Sequence, residues 1–140
     1  MTRATGTNEP RIIEIPRFQD HRGNLSVIDH TGCLPFELRR LFYVYDIPTG
    51  VERGAHAHRT LHQFIFCVSG SIEVTITSQS RTEYCIRLER PWQGLHIPPL
   101  CWAHEASRSG GSVYCVAASD LYNEAEYIRD WQEFLRLTQP

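Results

Sequence analysis

Short runs of alternating apolar and polar residues make up most of this sequence. After a polar tail of about ten residues, eight such runs follow one another, and their lengths suit β-strands better than helices. The breaks between them are turn-forming, as in DHRGN, PTG, PWQG and SRSGG, and there is no internal repeat. Many short strands with frequent turns predict an all-β sandwich or barrel. The runs are RIIEIPRF, LSVID, RLFYVYDI, HQFIFCVSG, SIEVTIT, TEYCIRLE, GLHI and SVYCVAAS.

Only the C-terminus has helical periodicity, and it predicts a helix over about residues 123–137. Asn123 is placed to cap this helix, with Glu126 three residues further on. An apolar face follows at the spacing of one side of a helix, and we expect it to pack against the outside of the barrel or against a second subunit. Its residues are Tyr127, Trp131, Phe134 and Leu135.

Length and composition indicate one ordinary globular domain. The chain has 140 residues, 41% of them hydrophobic and 21% charged. We predict a single domain over residues 1–140, with its core at about 11–119. The formal net charge of −2 provides no general attraction to nucleic acid or to an anionic membrane. Neither is therefore expected as a partner, and an anionic ligand must meet a local group of arginines.

No run approaches the roughly 18 consecutive apolar residues of a membrane span, and the stretch MTRATGTNEP lacks the apolar centre of a signal peptide. We therefore expect a cytoplasmic protein. The five cysteines are odd in number, widely spaced and without a C-x-x-C pair. This pattern indicates neither a disulfide framework nor a zinc knuckle, and most of the five thiols are expected to be buried and to pack as small apolar side chains.

The stretch RGAHAHR contains the most informative chemistry. Side chains two apart on a strand point to the same side, so His56 and His58 project together, and Gly54 leaves space on that side. Taken alone, such a pair is half of a metal site, an acid/base pair or two exposed side chains on a solvent face.

The spacing around the two histidines resembles the first motif of the cupin superfamily, with the ordered positions Gly50, His56, His58, Gln63 and Gly70. The later stretch PLCWAH resembles the second motif. It keeps Pro99 and His104 but has Cys101 in place of a glycine. The resemblance implies a cupin jelly-roll β-barrel with a short C-terminal helix. Gln63 stands where many cupins have a glutamate, which removes the formal negative charge from a possible metal site.

Five ordered segments narrow the resemblance: DHRGNL, PFELRRLFYVYDIP, RGAHAHRTLHQ, GLHIPPLCW and ASDLYNEAEYIRDWQEFL. They are similar to the WxcM-like or FdtA-type nucleotide-sugar 3,4-ketoisomerases. This resemblance implies metal-free, cofactor-free conversion of dTDP-4-keto-6-deoxyglucose to a dTDP-3-keto-6-deoxyhexose, in deoxyamino-sugar biosynthesis. It also implies a homodimer that exchanges strands, and the alternating segment Arg11–Phe18 with its proline suits such an edge strand.

The resemblance also implies residue roles. His56 matches the position of the base that removes the sugar C3 proton, and His58 would help to carry that proton. Histidine suits this task because its ordinary pKa lies near neutrality. Arg53 matches an arginine at the site mouth, where it would bind the diphosphate or a sugar oxygen. Gln63 is expected to contact substrate.

Two further substrate-binding candidates are Arg22 and Tyr43. Arg22 matches a position that differs between family members of different C4 stereochemistry, and its alternative is a turn residue. The partner of that position is Ala103, which matches neither known pairing. Phe42 stands where some members have a tyrosine, and Tyr43 beside it faces the other way on a regular strand, so packing is its alternative role.

Two other functions are compatible with the same residues. A metal-dependent cupin, such as a dioxygenase, would use His56, His58 and His104 as ligands, and the neutral Gln63 argues against it. A non-catalytic nucleotide-sugar-binding cupin would keep the arginines but would not need two histidines on one side of a strand.

Overall fold

The computed structural model describes residues 8–140, and within them the chain is built mainly from strands. Almost every predicted run is a strand in the structure, which confirms the all-β prediction. The strands are β1 (Arg11–Glu14), β2 (Arg17–Asp20), β3 (Gly23–Ser26), β4 (Arg40–Val44), β5 (Glu52–His58), β6 (Gln63–Ser69), β7 (Ile72–Thr77), β8 (Glu83–Leu88), β9 (Gln93–Ile97), β10 (Trp102–Ser107), β11 (Val113–Ala118) and β12 (Tyr127–Ile128).

Two five-stranded sheets form the barrel. One has the order β1-β9-β6-β11-β4 and the other β12-β5-β10-β7-β8, and all pairings are antiparallel. The inward positions are apolar because the side-chain alternation matches the pleat. On β7, for example, Ile72, Val74 and Ile76 are fully buried, while the residues between them are half-buried. These side chains and those of the facing sheet form the main core.

The N-terminal run RIIEIPRF is two strands, because it is interrupted at Ile15 and Pro16. The first, β1, is an edge strand that pairs with β9 of its own chain through Arg11 and His96 and the residues that follow. The second, β2, leaves that sheet and forms a separate hairpin with β3. Edge position was therefore predicted correctly, and pairing with a second subunit stays a prediction.

The prediction of one helix over residues 123–137 is wrong in its first half. Residues Glu124–Glu126 form a 3-10 turn, Tyr127–Ile128 form β12, and the α-helix spans Trp131–Leu137. Asn123 does cap the turn, accepting from the Ala125 N–H. The Glu126 carboxylate, however, accepts from the backbone N–H groups of residues 60 and 61. Pairing of β12 with β5 then replaces the helical hydrogen bonds.

The C-terminal helix, which we label α1, packs on the outer face of the second sheet. Asp130 caps it by accepting from the Gln132 N–H. Phe134 is fully buried with Ala57 and Ile128, and Trp102 packs against this cluster. The helix is thus placed against the outside of the barrel, one of the two positions expected. Within residues 8–140, no helix has both the length and the apolar character that crossing a membrane requires.

Candidate active site

A cavity of about 330 Å³ lies between the two sheets. One part of its wall is apolar and comes from the inward positions of β4, β6 and β11, including Phe42, Ile65 and Val116. The rest is a group of polar and aromatic side chains, and most of these come from β5, β10 and the C-terminal segment. They are Arg53, His56, His58, Gln63, Glu105, Tyr114, Tyr127 and Arg129.

His56 and His58 line this cavity side by side, as their spacing on the strand predicted. Their ring centroids are 4.9 Å apart in an edge-on arrangement, and Ala57 between them points into the outer cluster under α1. Tyr127 packs against both rings, at 4.9 Å from His56 and 4.5 Å from His58. His58 is only 5% exposed, and neither of its ring nitrogens has a hydrogen-bond partner within residues 8–140. A buried imidazole without partners is unusual and marks a functional candidate.

Burial keeps both imidazoles neutral at physiological pH. Desolvation, helped by the nearby Arg129, lowers the pKa of His56 to about 4, although Glu124 opposes this. Desolvation also lowers the pKa of His58 to about 3, and its cationic neighbours act in the same direction. The pKa near neutrality that the sequence predicted for both histidines is therefore wrong for the folded chain. A neutral imidazole has a free lone pair and is ready to accept a proton.

A bulge in β5 brings Arg53 to the cavity. His56 pairs with Ala103 and Arg53 pairs with Glu105. Two residues of β5 therefore lie between these pairs where β10 has only one. Gly54 supplies the backbone geometry for the extra residue, with a φ of 85°. Paired residues share a face, and Arg53 therefore lies on the same side as His56. A regular strand would have turned Arg53 away, which is why the spacing alone did not place it.

Glu105 and Tyr114 also line the cavity, and sequence reasoning missed both. The Tyr114 hydroxyl, on one sheet, donates across the barrel to Oε1 of Glu105 on the other, at 3.0 Å. Desolvation raises the pKa of the Glu105 carboxyl to about 7, although Tyr114 and Arg53 partly oppose it. The sequence did contain a signal for Glu105. In the strand WAHEAS this acidic residue lies two positions after Ala103 and therefore on the same face of the strand.

Arg129 is a third residue that the sequence did not assign to the site. Its guanidinium lies 4.5 Å from the centroid of the Tyr127 ring and donates to Glu124 at 2.8 and 3.0 Å. The predicted helix concealed this arrangement, because a helix would have directed Tyr127 and Arg129 to different sides. As β12 and the segment after it, they close one side of the cavity.

Two of the substrate-binding candidates from the sequence, Tyr43 and Arg22, lie away from the cavity. Tyr43 is 61% exposed, on the face opposite to that of the cavity-lining Phe42. Arg22 is in the β2–β3 hairpin, paired with Asp20 at 2.6 Å. Their substrate-binding roles stay predictions, and neither side chain lines the cavity of its own chain. The two remaining substrate-binding candidates, Arg53 and Gln63, both line the cavity.

His104 lies on the outer face of β10, where its Nε2 is 3.4 Å from Glu52 Oε2. Its neighbours on that strand, Ala103 and Glu105, face the cavity instead. The three-histidine ligand set of the metal-dependent alternative is therefore not brought together in this structure.

The barrel and its inward-facing histidine pair define a cupin-type protein. The family model described as "FdtA: WxcM-like, C-terminal" matches residues 8–139, and the chain belongs to that family.

A relative, TDP-4-oxo-6-deoxy-alpha-D-glucose-3,4-oxoisomerase from Aneurinibacillus thermoaerophilus, is 33% identical over 126 residues, 90% of each chain. A 3,4-ketoisomerase from Helicobacter canadensis is similar in structure, with a TM-score of 0.88, 38% identity, and coverage of 94% of this chain and 98% of that one. QdtA, a sugar 3,4-ketoisomerase from Thermoanaerobacterium thermosaccharolyticum solved with TDP, has a TM-score of 0.87 and 30% identity, covering 92% and 93%.

Proposed function

We propose that this protein is a nucleotide-sugar 3,4-ketoisomerase that converts TDP-4-keto-6-deoxyglucose to the 3-keto isomer. The observation that carries the proposal is the pair of neutral histidines, His56 and His58, packed together on the wall of the barrel cavity. The family and its relatives support the same reaction. A histidine-to-asparagine variant of the structurally similar QdtA was solved in complex with TDP-4-keto-6-deoxyglucose.

The reaction removes the proton from C3, passes through an enediol and returns a proton to C4. His56 is the base in this proposal, because it is neutral and more accessible from the cavity than His58. The imidazolium that forms at a site with a pKa of about 4 is a stronger acid than an ordinary imidazolium, which favours the return of its proton to C4. His58 lies behind it, in edge contact, and orients the His56 ring together with Tyr127.

Positive charge near the cavity is placed to bind the substrate diphosphate. Arg53 and Arg129 both line the cavity. Arg53 comes from β5 and Arg129 from the segment after β12. The Arg53 guanidinium suits a diphosphate because it can donate two parallel hydrogen bonds. Arg129 already donates through Nε and one terminal nitrogen to Glu124, so its contribution to the diphosphate is positive charge and its other terminal nitrogen. Gln63 on β6 provides a neutral donor and acceptor for a sugar hydroxyl.

We also propose that the protein is a homodimer formed through the N-terminal hairpin. All eight residues of β2 and β3 are exposed, including Phe18 at 62% and Leu25 at 58%. The edge strand β4 exposes Leu41 in addition. Apolar side chains on a small two-stranded sheet favour burial against a second copy. Light scattering at micromolar concentration should give the mass of a dimer, and a monomeric mass would contradict this.

A cytoplasmic location is part of the proposal. All five cysteines are free in the structure, which is typical of a reducing compartment.

The test of function is incubation with TDP-4-keto-6-deoxyglucose in D₂O, followed by ¹H NMR of the sugar protons. A ketoisomerase exchanges the C3 proton for deuterium and accumulates a 3-keto product. Absence of both, from folded protein, would contradict the proposed function.

A further inference from the structure

Moving a ketone between neighbouring carbons transfers two protons, one between the carbons and one between the oxygens. His56 accounts for the carbon-bound proton only. We propose that the Glu105 carboxyl, held by the Tyr114 hydroxyl, carries the second proton between the sugar oxygens O4 and O3. This inference rests on the proposed 3,4-ketoisomerase reaction and names a further catalytic residue for it.

The geometry of β10 places Glu105 beside the reacting position. Ala103 pairs with His56, and Glu105 is two residues further along, which is about 7 Å along the strand. Both residues face the cavity. This spacing along the strand suits a sugar ring that has the His56 imidazole at its carbon and the Glu105 carboxyl at its oxygens.

One carboxyl oxygen is held and the other is directed to Gly54. Oε1 accepts from Tyr114, the single hydrogen bond to this carboxyl among the described residues. A Cβ built on the cavity-lining Gly54 would lie 2.6 Å from Oε2, so the absence of a side chain there leaves space for this oxygen. O3 and O4 are on neighbouring carbons, and a single carboxyl oxygen can reach both.

Neither histidine nor Phe42 can supply the proton to O4. Both histidines are neutral before the reaction, since their pKa values are about 4 and 3, and afterwards His56 holds the proton that came from carbon. Phe42 has no hydroxyl. The groups that face Glu105 are Arg53 from β5, Tyr114 from β11 and the apolar Val74 from β7. In this setting its pKa of about 7 makes both the acid and the carboxylate accessible near neutral pH.

The steps balance without another reactant. His56 takes the proton from C3, the C–H electron pair becomes the C3–C4 double bond, and the carbonyl pair moves to O4, which takes the proton from Glu105. The Glu105 carboxylate then removes the proton from O3, C3 becomes the carbonyl carbon, and the double-bond pair takes the proton from His56 at C4. Both residues return to their starting states.

The test compares Glu105→Gln with the wild type in the D₂O experiment, measuring C3 deuteration of recovered substrate and formation of 3-keto product separately. Glutamine can donate a hydrogen bond to O4 but cannot transfer a proton. We expect the product rate to fall on the order of 10²-fold or more, while C3 exchange continues, because the enolate still forms and is reprotonated at C3. The ratio of exchange to product therefore rises. Glu83→Gln, at an exposed carboxylate on β8, is the matched control and should leave both rates unchanged.

Tyr114→Phe should shift the same ratio in the same direction by a smaller factor, since the carboxyl remains but is no longer held. If Glu105→Gln lowers exchange and product equally, or leaves product formation unchanged, the proposal is overturned. If circular dichroism shows that Glu105→Gln is unfolded, the ratio in Tyr114→Phe decides, and an unchanged ratio overturns the proposal. A folded wild type that gives neither exchange nor product contradicts the proposed function itself.

Discussion

Burial of His58 should make the stability of this protein sensitive to acid. In the folded chain burial lowers the pKa of His58 to about 3, whereas an unfolded histidine has a pKa of 6.5. Below pH 6.5 the unfolded state therefore binds a proton that the folded state does not. Stability from this group is complete above pH 6.5 and is lost progressively as the pH falls towards 3.

The magnitude follows from the two pKa values. At pH 5.0 an unfolded imidazole favours its protonated form by about thirty to one, and the folded imidazole is still neutral. Proton binding then favours unfolding by about 2 kcal/mol, whereas at pH 7.5 the same contribution is about 0.1 kcal/mol. His58→Asn removes the titrating group. The loss of unfolding free energy between pH 7.5 and 5.0 should therefore be about 2 kcal/mol smaller in the variant than in the wild type.

The assay is urea unfolding at the two pH values, followed by circular dichroism at a fixed protomer concentration, because oligomerisation affects apparent stability. The cost of burying asparagine is present at both pH values and cancels in the comparison. His30→Asn, at an exposed position, is the control and should leave the pH difference unchanged. Equal losses in wild type and His58→Asn would contradict this prediction and would show that burial does not keep His58 neutral in the folded chain.

Four further predictions concern activity and packing. His56→Asn should still bind TDP but lose on the order of 10²-fold or more in turnover, and C3 exchange should fall equally; exchange at the wild-type rate would exclude His56 as the base. Activity should survive dialysis against a chelator, because Gln63 offers no charge to a metal; loss restored by one divalent ion would favour the metal-dependent alternative. Gly54→Ala should lower turnover, since alanine is strained at a φ of 85° and its Cβ would meet the Glu105 carboxyl. Wild-type turnover in this variant, with Glu105 unshifted in its crystal structure, would contradict this. Phe134→Ala should cost about 3–5 kcal/mol of unfolding free energy by leaving a cavity under α1, and a urea-unfolding loss below about 1 kcal/mol would contradict that packing.

The strands and the histidine pair could be predicted from the sequence because they depend on local rules. The alternation in SIEVTIT directs Ile72, Val74 and Ile76 to one side whatever surrounds them. The same period of two puts His56 and His58 on one side of β5, and the structure keeps them together. Pleat geometry acts between neighbouring residues, so a short stretch of sequence is enough to determine it.

The tertiary structure decided which residues complete the site. Arg53 reaches the cavity only because pairing with β10 places a bulge at Gly54, and a single strand carries no information about its partner's register. Tyr127 belongs to β12 instead of a helix because the free edge of β5 offers hydrogen bonds that outweigh local helical periodicity. The low pKa values of the histidines and the raised pKa of Glu105 arise from desolvation by both sheets together, a property of the closed barrel that no segment has alone.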